Sequence, residues 1–199
     1  MLAADRDAAR ERFDLEPGRP CLLVFGGSQG ARSINRAALE AFAGAAGEGR
    51  DFAVIHVSGA RDHPEAAATL ASAPHPRAYT LLDYEPNLAA TLAAADLVLA
   101  RSGGSIFEIA AAGDPAILVP YPYAAGRHQH ANAAWMADAG AAVVIEDDEL
   151  DPARLAAVAR ELLGDEARLE AMAAASLGLA RPDAAQRIAA EVLAAIGNP

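Results

Sequence analysis

The sequence predicts an open, doubly wound α/β fold, a Rossmann-like parallel sheet of about six strands. Two observations carry that expectation. Six short apolar runs alternate with helical patterns along the chain. The runs are also continuously apolar rather than alternating, as parallel strands are when helices cover both their faces.

Taken in order, the opening "MLAADRDAARERF" reads as a polar N-terminal helix or a linker, which sets 1–20 apart from a domain at 21–199. "CLLVF" (21–25) is the first strand, followed by a glycine turn and a helix to about Ala45. "FAVIHV" (52–57) precedes a loop and a short helix near Pro64–Ala71. "AYTLL" (78–82) leads to a helix at about Asn87–Ala95. "DLVLA" (96–100) runs into "RSGGS" and a further helix, and "AILVP" (116–120) into a loop and a helix at about Gln129–Ala139. "AAVVIE" (141–146) is the last strand, before helices at about Pro152–Leu163, Asp165–Leu177 and Asp183–Ala195. The acidic run "EDDEL" (146–150) reads as a solvated loop, with Asp151 capping the next helix.

Composition removes several function classes. A chain of 199 residues suits one domain with a proper core. A net charge of −11 and an aromatic share of 5% argue against a general nucleic-acid binder, which needs a basic footprint and stacking platforms. Phosphate, if bound, must be held locally by glycine loops and helix N-termini. One cysteine, Cys21, excludes an internal disulfide and fits a reducing compartment, so a cytoplasmic location is expected. No apolar stretch approaches the ~18 residues a membrane span needs, and the start lacks the apolar core of a signal peptide.

In a doubly wound sheet, ligands bind beyond the carboxyl ends of the strands, where strand order reverses. Three loops there have unusual composition: "GGSQGARS" (26–33), "RSGGS" (101–105) and "YPYAAGRHQ" (121–129). With strands one to three in one half and the rest in the other, the first and fourth strands become neighbours. Their glycine loops then flank one crevice. The first loop, Gly26-Gly27-Ser28-Gln29-Gly30, fits the G-x-S-x-G of a hydrolase elbow, with Asp96 or Asp114 and then His128 in matching chain order. No earlier strand exists to supply the usual oxyanion loop. The G-x-G-x-x-G dinucleotide fingerprint is absent, and a plain tight turn needs less polar capacity than Ser28, Gln29 and Asn35 offer.

The second loop has a bland reading too. Ser102 or Ser105 caps the helix, and Ser105 with Glu108 has the spacing of a capping box. A capping box does not require Gly103-Gly104, which would let a phosphate approach bare amides. A carboxylate at Glu108 suits the two hydroxyls of a ribose. The third loop brings His128, Gln129, His130 and Asn132. His-x-His alone makes a weak metal site, whereas amide side chains that donate and accept suit a hydroxyl-rich ligand. Gln129 and Asn132 share one helix face.

The segments "GGSQGARSIN", "ADLVLARSGGSIFEIAAAG", "PAILVPYP" and "HQHANAAWMADAGAA" together closely resemble the carboxyl-terminal domain of the MurG family, from about Cys21 to Ala190. That family comprises peptidoglycan N-acetylglucosaminyltransferases of the GT-B fold. The resemblance implies a UDP-N-acetylglucosamine (UDP-GlcNAc) site. Ser28, between Gly27 and Gln29, would meet a diphosphate oxygen. Gly103 and Gly104 with Ser105 and Ile106 would form the turn whose amides, joined by the Ser105 hydroxyl, hold the diphosphate. Glu108 would take the ribose, the backbone around Glu85 the uracil edge, and Gln129, with His128 and Asn132, the sugar hydroxyls. It implies no cofactor and no metal.

The resemblance further implies inverting transfer of GlcNAc to lipid I, giving lipid II. The acceptor site, general base and membrane-facing patch would lie in an amino-terminal domain that this chain lacks. No catalytic residue is therefore expected here, and the chain alone should bind donor without turnover. The whole protein would be peripheral on the inner face of the plasma membrane. Two departures stand out: the Arg101–Glu108 loop is one residue shorter than the common family form, and no "PVR"-like segment is present. A UDP-sugar 2-epimerase-like domain and a stand-alone nucleotide-sugar binding module are the other readings.

Overall fold

The computed structural model describes residues 5–27 and 30–196. Its strands are β1 (Cys21–Phe25), β2 (Ala53–Val57), β3 (Tyr79–Leu82), β4 (Leu97–Ala100), β5 (Ala116–Leu118) and β6 (Ala142–Val144). They form one parallel sheet in the order β3-β2-β1-β4-β5-β6. The chain builds outward from β1 to β3, then returns to lay β4 against the other side of β1. That is the Rossmann-like arrangement, and the reversal falls between β1 and β4 as expected.

The central strands β1, β4 and β5 are buried throughout, while the edge strands β3 and β6 are half-buried along their length. Burial on both faces therefore holds for the middle of the sheet and not for its edges. The outer strands are also shorter than the apolar runs that announced them, with β6 covering 142–144 rather than 141–146.

The helices are α1 (Arg6–Arg12), α2 (Arg32–Phe42), α3 (His63–Ala71), α4 (Leu88–Ala94), α5 (Ile106–Ala112), α6 (His128–Asp138), α7 (Pro152–Leu163), α8 (Glu166–Leu179) and α9 (Ala184–Ile196). They sandwich the sheet between two apolar cores. On one face Ile34, Phe42, Phe52, Leu155 and Leu162 pack beneath α2 and α7. On the other, Leu92, Ile106, Ile109 and Met136 bring α4, α5 and α6 against the strands. Among the described residues no helix is long and apolar enough to cross a membrane.

The acidic run departs from its expected reading, while the first and last helices add detail to theirs. Residues 6–12 are no free linker: Arg6 donates to Ala93 O, Ala95 O and Asp96, and Arg10 to Ala94 O and Arg19 O. These guanidiniums satisfy carbonyls that the end of α4 leaves without helical partners. The "EDDEL" run is not wholly solvated. Asp151 does cap α7, accepting from Ala153 N and Arg154 N, but Asp147 pairs with Arg101 at 2.6 Å. The last helix, α9, buries none of its residues and leaves Ile188, Val192, Leu193 and Ile196 exposed.

Candidate functional site

At the carboxyl edge of the sheet, where β1 and β4 part, a cleft of about 530 Å³ opens. Four segments wall it: the turn after β1, Val57 and Gly59 at the end of β2, the loop 83–86 after β3, and the loop 101–105 entering α5. Glu108 and Gln129 complete the rim. A second hollow of about 500 Å³ lies between α2 and α3, apart from the 101–105 loop and α5. Only the first sits at the strand reversal with the 101–105 glycines on its wall.

Gly103 and Gly104 are the informative residues. Neither adopts a positive φ, so the backbone does not demand glycine at these positions. Among the described residues, a Cβ on Gly104 would meet no atom within 4 Å, and one on Gly103 only Gln129 Nε2 at 3.8 Å. Among the described residues nothing gives a reason for their missing side chains. What their absence does is leave open space on the cleft wall.

Beyond them α5 begins without a side-chain cap. Ser105 stands at its N-cap but makes no capping hydrogen bond, so the capping box is not formed. Ile106, fully buried, donates its amide to Gly103 O at 3.3 Å. Among the described residues no acceptor meets the amides of Gly103, Gly104 and Ser105. Glu108 is exposed one turn in, forming no ion pair among the described residues. Bare amides beside a solvated carboxylate can take an anion and a diol side by side.

Gln129 is oriented by Tyr121, whose amide donates to Oε1 at 3.0 Å, and this leaves Nε2 toward Gly103. Asn132 has a different part from the one expected. Its Nδ2 donates to Ser102 O at 2.8 Å, while Ser102 Oγ donates to Gln129 O at 2.7 Å. These two bonds clamp the start of α6 to the end of β4, and the Asn132 side chain does not line the cleft. His128 also lies off the cleft wall, its Nδ1 bonded to Ala125 O at 2.8 Å. His130 pairs with Glu146 at 3.2 Å.

Glu85 lies on the cleft wall with its carboxylate turned inward to Arg12 and Asn87 N. Gly27 lines the opposite wall with φ +90°; Ser28 and Gln29 lie outside the described residues. The hydrolase constellation does not assemble. Asp96 and Asp114 precede β4 and β5 at the amino edge of the sheet, whereas His128 follows β5 at the carboxyl edge.

Two arrangements escaped the sequence reading. Arg101, nearly buried at the end of β4, donates to Val119 O, Pro120 O and Ser33 Oγ and pairs with Asp147. It thereby ties together the ends of β4 and β5, the start of α2 and the loop after β6. Behind the first glycine loop, a buried chain runs through β2. Asn35 Nδ2 donates to Ser58 O, so its Oδ1 accepts from His56 Nε2 at 2.9 Å, and His56 Nδ1 accepts from Tyr79 OH at 2.8 Å. Burial pushes the His56 pKa down to about 3 and keeps the ring neutral, as this directed chain requires. Gly30, at φ +73°, packs against the same loop, where a Cβ would come within 2.4 Å of Ser58 O.

Comparison with known proteins gives these features a family. The model of the glycosyltransferase family 28 C-terminal domain matches residues 21–188. The chain belongs to that family. Among relatives of this family 28 domain is a protein of Moorella thermoacetica named UDP-N-acetylglucosamine--N-acetylmuramyl-(pentapeptide) pyrophosphoryl-undecaprenol N-acetylglucosamine transferase. It is 43% identical over 198 residues, covering 97% of this chain and 53% of the relative. A protein of the same name from Rubrobacter xylanophilus is 41% identical over 98% of this chain and 55% of its own length. The crystal structure of Acinetobacter baumannii MurG superposes with a TM-score of 0.79 at 28% identity, over 94% of this chain and 52% of that one. The family 28 domain thus spans about half the length of the relatives it matches.

Proposed function

We propose that this chain is the donor-binding half of an inverting glycosyltransferase that moves GlcNAc from UDP-GlcNAc to lipid I, making lipid II for the peptidoglycan wall. In this reading residues 21–199 form the UDP-GlcNAc domain. The acceptor site, the general base and the membrane-associating surface belong to a second domain. The family membership and the names carried by its relatives support the reading. One observation carries the site: among the described residues, two glycines with no steric duty precede a helix start whose amides are unfilled and whose first turn holds a carboxylate in no ion pair.

The chemistry follows from that turn. Sugar transfer leaves negative charge on the departing UDP, and oriented amides at a helix start stabilise such charge where it develops. Gly104 and Ser105 supply those amides, joined by the Ser105 hydroxyl and, across the cleft, by Gly27; the family resemblance assigns Ser28 and Gln29 to the same diphosphate. Glu108 accepts from the ribose hydroxyls, the backbone at Glu85 meets the uracil edge, and Gln129 reads the sugar hydroxyls. Asn132 acts indirectly, by holding Gln129 and Ser102 in register. Proton removal from the acceptor requires a base positioned at the incoming hydroxyl, which the second domain contributes. The domain alone therefore binds donor without turnover.

Calorimetric titration with UDP tests this. Saturable binding is expected, abolished by Glu108→Ala and weakened by Gln129→Ala. UDP binding no tighter than that of an unrelated dianion would overturn the assignment.

A further inference from the structure

The loop that forms the β3 side of the cleft is anchored from outside the site. Glu85 has a side chain only 2% exposed, and its Oε2 accepts from Arg12 Nη2 at 2.5 Å. Its other oxygen accepts from Asn87 N at 2.7 Å. Asn87 in turn caps α4, its Oδ1 accepting from Ala90 N at 3.2 Å. Asp83, Tyr84, Glu85 and Pro86, all on the cleft wall, therefore hang between the cap of α4 and one guanidinium.

That guanidinium belongs to the last residue of α1, a helix that contributes nothing to the cleft wall. Arg12 lies 4.8 Å over the Phe13 ring, and α1 is itself pinned to the end of α4 by Arg6 and Arg10. Among the described residues no other cation pairs with Glu85. A carboxylate this buried is costly without its partner, and the cheapest relief is for its loop to swing toward water.

We infer that Arg12 is a positioning residue for nucleobase recognition: through Glu85 it holds the loop whose backbone meets the base, so that a helix outside the cleft sets base selectivity. This rests on the reading that loop 83–87 faces the uracil. It also makes the docking of α1 and the affinity for uridine nucleotides two readings of one equilibrium, because whatever lifts α1 strands Glu85 and frees the loop.

The test is calorimetry with three probes, UDP, ADP and inorganic pyrophosphate, on the unaltered chain, Arg12→Ala, and Arg12→Ala with Glu85→Gln. Arg12→Ala is expected to weaken UDP about tenfold, the cost of one or two misplaced hydrogen bonds, and to erase its advantage over ADP. Pyrophosphate, which makes no base contact, should stay within about twofold of the unaltered chain. Adding Glu85→Gln removes the stranded charge and should recover most of the UDP affinity, the non-additivity expected of two residues in contact. Unchanged UDP affinity in Arg12→Ala overturns the inference. So does an equal loss for all three probes, which would mean general loosening of the fold. If the unaltered chain prefers UDP to neither ADP nor pyrophosphate, the donor-site reading itself fails and carries this inference with it.

Discussion

Glycine 104 separates a structural from a binding role at the scale of one residue. Its φ lies outside the left-handed region and a Cβ there touches nothing among the described residues. Alanine would reduce the freedom of the unfolded chain without straining the folded one. Gly104→Ala is therefore expected to stabilise the protein by about 0.5 kcal/mol while weakening UDP about tenfold, because the added methyl would hold the diphosphate off the amides. Thermal denaturation and titration on the same sample decide it. A turn that is only punctuation would show no loss of affinity. The paired glycines and Glu108 could be found in the sequence because they lie within one short segment. Asn132 could not be assigned correctly, since its partner Ser102 is 30 positions away and its helix-face spacing with Gln129 suggested a shared ligand.

Among the elements, the ends of β4 and β5 depend on Arg101. Its side chain is 11% exposed and that of Asp147 is 24% exposed, so the pair is largely removed from water. Arg101→Ala removes the charge partner of Asp147, which keeps the Ser33 hydroxyl at 2.7 Å, and releases the carbonyls of Val119 and Pro120 together. A loss of about 2–3 kcal/mol in urea denaturation is expected, less than for a fully buried pair because Asp147 keeps some contact with solvent. The strands and their order were legible because apolar runs and glycine turns are local signals. The fastenings between them were not. Arg12 and Glu85 are 73 positions apart, and no periodicity links a polar helix to an acidic loop. "EDDEL" looked solvated for the same reason: nothing nearby in the chain announces that one of its carboxylates turns inward to Arg101.

For the molecule as a whole, stability should depend on pH through one carboxyl at the amino edge of the sheet. Asp114 is buried between α5 and β5, and its Oδ2 has no hydrogen-bond partner among the described residues. Burial pushes its pKa from 3.8 up to about 8; the Arg6 charge lowers it somewhat and Asp96 raises it. The folded state thus holds a proton that the unfolded chain releases above about pH 4. The folded pKa is the higher one, so the stability tied to this proton is full below the unfolded pKa and is lost as pH rises toward 8. Asp114→Asn cannot ionise. Its melting temperature should stay close to the parent's near pH 4 and exceed it increasingly toward pH 8, by about 10–20 °C, or on the order of 5 kcal/mol. A constant gap across that range would show that Asp114 does not titrate.

The pairing of β1 with β4 has one more consequence, in the order of assembly. Leu22 sits beside Leu97, and Cys21 N reaches Asp96 across 75 positions. Contacts so distant in the chain are slow to close, because the loop entropy is lost before the contact rewards it. The cleft cannot exist before that closure, since its two glycine turns hang from those two strands. Nucleotide binding then reports completion of folding rather than the presence of any single element, and a ligand bridging both turns draws the chain toward its finished state by mass action.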